Sequence, residues 1–574
     1  MAPAEICNPS IPIPDTIWQS FKSAVSKTPQ DVAYTVYYEP ADHLRELRCP
    51  KYAPSGSYLN WTFAELEYAT VSLAAGMLTR GVKRGSTMVT FLPNGIAREL
   101  CLWVSVALQL TLLPCDPALL EAGREEQFKE YIDTVSPGVV IVSGDQAATT
   151  WEERSLGTGA LQLILQPTTR PDWTRFTALP LPKGDYDAEL ELIDQQDLEI
   201  ENDRERIIAI LFTSGTSSGK PKGCAIRSRQ ILTGAHGDSV FDKPVQSLLV
   251  PYPNYRAAAN WMTYHCILQN TRLVFPSLAV DIAAMLDVIE ICQVEGAIIM
   301  PFMVHLFSKD AKFIAGKRDL SSFKRVMLGG DVITVGMIEQ ARAVFPNAVV
   351  RGGSGMSECI AALTSKKYGE GLQPTFGTIV SAGYPAQATC ARICDENRKV
   401  VERGEFGELH LGGPHVLRQY WKNVQPELFY EDQKGNWMLT SDRAFMDENG
   451  FIFITGRLKD IIKKRGRTIS PAIISSRLNK QPGVLATVFG VPHEIDGESV
   501  VAVIDSADPS NTPERIKQIV QESLGNDYAL DEVYSLGDLG LRSFPIGPTG
   551  KILRQCWNLN SGKGQVRRQL SSDS

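Results

Sequence analysis

Short apolar runs alternate with longer amphipathic stretches along most of the chain, and this alternation predicts strands interleaved with helices. Thr87-Met-Val-Thr-Phe91, Val139-Val-Ile-Val142, Ile207-Ile-Ala-Ile-Leu211, Arg272-Leu-Val-Phe275, Gly296-Ala-Ile-Ile-Met300 and Arg325-Val-Met-Leu328 are strand-length and bounded by turn formers. Leu110 to Pro117 reads as a strand running into a turn. Helical spacing of apolar positions marks Ile17–Ser26, Trp61–Leu78 and Glu99–Leu108. Otherwise residues 1 to about 60 read as an irregular lead-in, and the acidic, proline-punctuated residues 144–205 as loops. Strands that alternate with helices point to parallel α/β sheets. From Ala391 to Ile454 the pattern changes to short strands with Gly and Asn turns, a β-rich subdomain. After Gly456 a compact α+β segment runs to about Trp557, and Asn558 to Ser574 form a polar tail. The fold class is thus α/β: a large N-terminal domain of parallel α/β sheets plus a β-rich subdomain (1–458), a small α+β C-terminal domain (459–557) and a tail (558–574).

The chain has 574 residues, too many for one ordinary core. A 43% hydrophobic and 21% charged composition is that of a globular protein, and a net charge of −7 gives no basic surface for nucleic acid. The longest apolar stretch, Leu100 to Pro114, falls short of the roughly 20 residues a membrane span needs. Met1–Cys7 lacks a signal-peptide pattern and the final Ser-Ser-Asp-Ser is not a peroxisomal tripeptide, so a cytoplasmic location is expected. Eleven cysteines and seven histidines are dispersed without metal-ligand spacing, and the thiols are expected to be reduced.

The chemistry concentrates first in Leu211-Phe-Thr-Ser-Gly-Thr-Ser-Ser-Gly-Lys-Pro-Lys-Gly223. A buried strand feeds a loop in which Gly215, Gly219 and Gly223 let backbone N–H groups approach a phosphate. Thr213, Ser214, Thr216, Ser217 and Ser218 add hydroxyls, and Lys220 and Lys222 add charge, so a triphosphate is the expected guest. It is not a Walker loop: three residues separate Gly215 from Gly219, and Pro221 follows Lys220.

This loop resembles the Thr-Ser-Gly-Thr-Thr-Gly-x-Pro-Lys-Gly loop of the adenylate-forming superfamily, with one residue more in the Ser217-Ser218 segment. Downstream segments repeat that family's order of motifs. Gly353-Ser-Gly-Met-Ser-Glu358 is similar to Tyr-Gly-x-Thr-Glu. The resemblance implies a nucleotide site at Gly353, Ser354, Gly355, Met356 and Ser357, with Glu358 holding Mg²⁺, a cation suited to oxygen ligands. Ser354 stands where an aromatic residue usually packs on adenine. Gly407 to Pro414, followed by Tyr420-Trp421, resembles a supporting strand and turn. Trp437-Met-Leu-Thr-Ser-Asp442 implies that Asp442 accepts hydrogen bonds from the ribose hydroxyls, with Ser441 replacing the usual glycine. Gly456-Arg-Leu-Lys-Asp-Ile-Ile-Lys-Lys-Arg-Gly466 implies a ribose contact at Arg457, a hinge at Lys459 about which a mobile C-terminal domain swings, and passage of the acceptor arm at Gly466. Pro548-Thr-Gly-Lys-Ile552 implies that Lys551 bridges the substrate carboxylate and the α-phosphate.

The implied catalytic residues are therefore Lys551, Thr213 and Glu358. The acyl pocket is expected near Asn254, Tyr255, Arg256, Asn260, Trp261, Gly329, Gly330 and Asp331. The resemblance implies a carboxylic acid–CoA ligase using ATP and Mg²⁺, with coenzyme A as acceptor. An acyl-AMP ligase that loads an acyl carrier protein, and a degenerate member that binds nucleotide without turnover, are the alternatives.

Overall fold

The computed structural model describes residues 2–50, 56–155, 159–180, 185–198, 203–213, 221–237, 241, 243–278, 280–314, 316–359, 362–365, 371–481, 483–506 and 508–544. Two seven-stranded sheets carry the amino-terminal part. The first runs in the order Lys222–Arg227, Ile207–Thr213, Thr111–Pro114, Thr87–Phe91, Pro137–Val142, Leu161–Ile164, Thr174–Arg175. All are parallel except the edge strand Lys222–Arg227. The second runs Val349–Gly352, Arg325–Leu328, Gly296–Ile299, Ser247–Leu249, Arg272–Phe275, Val32–Val36, Leu59–Thr62. It is parallel apart from its last pair. Parallel strands need crossovers, so their carboxyl ends share one edge, where connecting loops collect.

A third, antiparallel sheet carries Glu5–Cys7, Cys390–Cys394, Gly407–Gly412, Gly435–Met446, Phe429–Asp432 and Ile452–Arg457. The last sheet, built on the long pair Val484–His493 and Gly497–Ser506, has separate apolar clusters on its two faces. Helices Pro471–Leu478 and Pro513–Leu524 cover one of them through Ile474, Leu478, Ile516 and Val520.

Four sequence expectations differ from the structure. The lead-in contains strands Glu5–Cys7 and Val32–Val36, the latter completing the second sheet. Residues 144–205 hold helices Asp145–Arg154 and Tyr186–Leu198 and strand Leu161–Ile164. The thiols are not all reduced: Cys7 and Cys390 are disulfide-bonded. They are directly opposed across an antiparallel strand pair but separated by 383 residues, so no local spacing betrays them. The Trp61–Leu78 helix begins later, at Phe63, because Trp61 pairs with Tyr34 in the sheet. Thr62 and Glu65 then close a reciprocal capping box. Among the described residues no helix is long and apolar enough to cross a membrane.

Helix Ile96–Ala107 carries an unusual buried charge set. Arg98 and Glu99 are both fully buried and pair at 3.2 Å. Arg98 also donates to the Asn254 carbonyl at 2.7 Å and to Asn260 Oδ1, while Thr263 donates to Glu99 at 3.0 Å. At the start of this helix Glu39 accepts from the Ile96 N–H at 3.3 Å, and burial pushes its carboxyl up to about 7 from the usual 4.5. A raised folded pKa means that Glu39 contributes stability at low pH and loses it as pH rises through about 7. Glu39→Gln should therefore be more favourable relative to the parent at about pH 8 than at about pH 5, by about 2 kcal/mol. Urea midpoints at both pH values check this; an equal difference at the two would mean that the carboxyl ionises normally.

Candidate active site

The carboxyl edge of the two parallel sheets opens on a cavity of about 1030 Å³. Its polar end is assembled from strand ends. Thr213 closes strand Ile207–Thr213 and pairs directly with Lys222 on the antiparallel neighbour. The two residues therefore pin both ends of the hydroxyl- and glycine-rich loop. Ser214, Gly215, Thr216, Ser217, Ser218, Gly219 and Lys220 lie outside the described residues, as does Lys551. Thr213 Oγ1 is buried without a hydrogen-bond partner among the described residues, a group that awaits one.

Strands Arg325–Leu328 and Val349–Gly352 pair with Leu328 opposite Gly352. Their continuations, Gly329-Gly330-Asp331 and Gly353-Ser-Gly-Met-Ser-Glu358, consequently enter the cavity side by side. A Cβ at position 353 would lie 2.5 Å from Met327 Sδ, so a side chain there would require the Met327 thioether to move. Glu358 accepts a hydrogen bond from Tyr420 Oη at 2.5 Å. Lys222 donates to Gln425 Oε1 at 2.9 Å, and its ammonium lies 4.9 Å from the Tyr420 ring centroid. Burial lowers the Lys222 pKa, with the Glu358 carboxylate opposing.

On the opposite wall, Asp442 and Arg457 are cross-strand partners and form an ion pair at 3.0 Å. Arg457 also donates to the Thr440 carbonyl at 2.7 Å. Ser441 adopts φ +59°, the left-handed region that explains why glycine suits this position. Lys459 is exposed on the turn that follows, at the cavity rim. Gly466 forms the tip of hairpin Ile462–Lys464/Arg467–Ile469 at φ +74° and does not line the cavity. From helix Pro471–Leu478 and its C-cap, Ala472, Ser475 and Asn479 reach the same space, with Thr487 from the last sheet.

The expected acyl-pocket residues divide. Arg256, Trp261, Gly329, Gly330 and Asp331 line the cavity. Asn254, Tyr255 and Asn260 do not. Asn254 and Asn260 are buried in the Arg98 network, where the Asn254 backbone N–H donates to Asn94 Oδ1 at 2.7 Å and the Asn260 side chain donates to the Asn254 carbonyl at 2.7 Å. The Arg256 guanidinium lies 5.1 Å from the Tyr255 ring centroid; burial and the nearby Asp116 carboxylate push the phenol up to about 12. Sequence reasoning missed Tyr420 and Gln425. The signal was present for Tyr420, in the Tyr420-Trp421 segment, but its reach to Glu358 depends on a bridge between Tyr420 and Cys224 far apart in sequence.

Among the described residues no three His, Cys, Asp or Glu side chains converge to hold a metal alone. One carboxylate is nonetheless a donor that suits Mg²⁺ when a nucleotide supplies the remaining oxygens. Glu358, with the unsatisfied Thr213 hydroxyl, fits that arrangement.

Fold and cavity together define an adenylate-forming enzyme. The profile of the AMP-binding enzyme family matches residues 21–421, and the chain belongs to that family. An acyl–CoA ligase, GME11374, of Pestalotiopsis microspora is 28% identical over 565 residues, covering 94% of this chain and 95% of the relative. 4-Coumarate–CoA ligase 1 of Oryza sativa subsp. japonica is 25% identical over 525 residues, covering 89% and 87%. The fold is that of the anthranilate CoA ligase AuaEII, solved with anthranoyl-AMP: the TM-score is 0.74 at 16% identity, over 95% of this chain and 97% of that one.

Proposed function

We propose that this chain is an ATP- and Mg²⁺-dependent carboxylic acid–CoA ligase acting in the cytoplasm. The observation that carries this reading is one cavity joining Thr213, Lys222 and Glu358 to the Asp442–Arg457 pair and to an apolar chamber. A carboxylate oxygen attacks the α-phosphorus of ATP, the bond to the β-phosphate oxygen breaks, and pyrophosphate leaves. The thiolate sulfur of coenzyme A then attacks the acyl carbon, and AMP leaves with the bonding pair. The first step brings anion against anion, so its barrier is electrostatic and fixed positive charge lowers it. Lys222 supplies such charge within the described residues, and Lys551 is assigned the bridge between carboxylate and α-phosphate. Mg²⁺ held at Glu358 would neutralise phosphate charge. Asp442 would accept from the ribose hydroxyls, with Arg457 fixing its orientation. Residues 1–458 are assigned to the adenylating domain, 459–557 to a mobile domain turning about Lys459, and Gly466 to the acceptor's path.

Pyrophosphate release across a panel of carboxylic acids, with and without coenzyme A, tests the reading. Release that depends on one acid, with a thioester formed when coenzyme A is added, is expected. Release without thioester would instead favour transfer to a carrier protein. Silence despite ATP binding would favour a degenerate member. Lys551→Ala should lower release on the order of 10²-fold while leaving ATP affinity within a few-fold. Normal turnover in that variant would remove Lys551 from the mechanism.

A further inference from the structure

The cavity does not end where the acid's carboxyl is activated. Helix Ala257–Leu268 connects the parallel neighbours Ser247–Leu249 and Arg272–Phe275, so it runs back from the carboxyl edge of the sheet toward the amino edge. Ala258, Trp261, Met262, His265 and Gln269 face the cavity along its length, at helical spacing. At 1.5 Å per residue, His265 lies about 12 Å beyond Ala257. The walls beside it are apolar: Phe241, Val245, Leu248 and Cys266.

His265 is a polar group on this wall, and its tautomer follows from its neighbour. Nδ1 lies 3.1 Å from the Gly234 carbonyl oxygen. A carbonyl only accepts, so Nδ1 carries the hydrogen and Nε2 presents a lone pair. Burial holds the ring neutral, lowering its pKa to about 4. Nε2 has no partner among the described residues. The two polar neighbours farther along behave alike. Gln269 donates to the Ala235 carbonyl at 2.6 Å, and the Thr271 hydroxyl donates to the Val245 carbonyl at 3.0 Å. Here one Gln269 N–H and the Thr271 hydroxyl are committed to the main chain and His265 Nε2 is left as an open acceptor, while one turn nearer the carboxyl edge the buried Trp261 indole N–H is a donor without a partner among the described residues. A methyl terminus seated against Nε2 would strip water from it and give nothing back, whereas a hydroxyl would restore the bond.

We propose that the cavity takes a carboxylic acid with an apolar body and a hydroxyl at the end remote from the carboxyl, and that His265 Nε2 accepts that hydroxyl's hydrogen bond. His265 is thus a specificity-determining residue. The direction of the acid in the cavity rests on the ligase reading above.

Binding of matched acids to the full chain tests this by calorimetry. One pair is a straight-chain acid with and without a terminal hydroxyl; the other is a cinnamic-type acid with and without a ring hydroxyl opposite the side chain. The parent should bind the hydroxylated member of at least one pair about tenfold more tightly or better. His265→Leu should erase that ratio. His265→Gln, which retains an acceptor, should keep part of it and guards against a Leu variant that fails to fold. A merely structural role would weaken both members of a pair equally and leave the ratio intact. Equal binding within both pairs by the parent, or no binding of any of the four acids, overturns the inference. Pyrophosphate release separates it from the ligase reading. Release with both members of each pair at equal efficiency sinks the hydroxyl preference and keeps the ligase. A binding preference lost on His265→Leu, without release from any acid, keeps the preference and sinks the ligase.

Discussion

Replacing Glu358 by Gln should lower acid-dependent pyrophosphate release by about 10²–10³-fold, the usual consequence of removing one preorganised electrostatic group. The substitution is nearly isosteric, and Gln can still accept the Tyr420 hydroxyl now 2.5 Å from the carboxylate. What disappears is the charge that would hold Mg²⁺ on the phosphates. Raising Mg²⁺ should therefore recover part of the lost rate, because weaker binding is opposed by mass action. Tyr420→Phe should be milder, since it removes an orienting bond and leaves the charge. Release assays over a Mg²⁺ series would check all three statements. Unchanged turnover in Glu358→Gln, with the parent's Mg²⁺ dependence, would exclude this carboxylate from the metal's coordination.

Arg98→Met should destabilise the fold by about 3–5 kcal/mol, the range for breaking a buried ion pair from one side. Glu99 would be left fully buried with the Thr263 and Tyr34 hydroxyls but no positive charge beside it, and the Asn254 carbonyl and Asn260 would lose the guanidinium they share. Because that network fixes the first turn of helix Ala257–Leu268, KM for the acid should rise as well. Adding Glu99→Gln should return part of the stability by removing the stranded charge. Urea unfolding of the single and double variants measures both effects. A single variant with the parent's midpoint would mean that Glu99 is protonated or hydrated in the folded chain.

Strands Thr87–Phe91, Arg272–Phe275 and Arg325–Leu328 are readable from local pattern because each is a short, almost wholly buried run bounded by turn formers. Val32–Val36 and Leu161–Ile164 escape the same reasoning. Both are set in polar, irregular surroundings, and Val32–Val36 is placed in its sheet by pairing with Arg272–Phe275, far along the chain. The polar end of the candidate site was legible through motif order, which places Thr213, Lys222, Glu358, Asp442 and Arg457 around one cavity. The acyl end was not. Asn254 and Asn260 look like pocket residues by position, yet the Asn254 side chain donates to the Pro93 carbonyl and the Asn260 side chain accepts from Arg98. His265 carries no local signal at all; only the Gly234 carbonyl, on a different helix, gives its lone pair a direction.

Helix Ala257–Leu268 divides into two unequal risks for change over evolutionary time. On one side, Asn260 and Thr263 are held by Arg98 and Glu99, so most replacements there unfold the chain before selection can act on chemistry. On the other, Ala258, Trp261, Met262 and His265 face open volume, where a larger or smaller side chain alters which acid fits and leaves the interior undisturbed. Gene duplicates of this enzyme should therefore diverge in substrate along one stripe, at spacings of three and four residues, while the opposite stripe stays fixed.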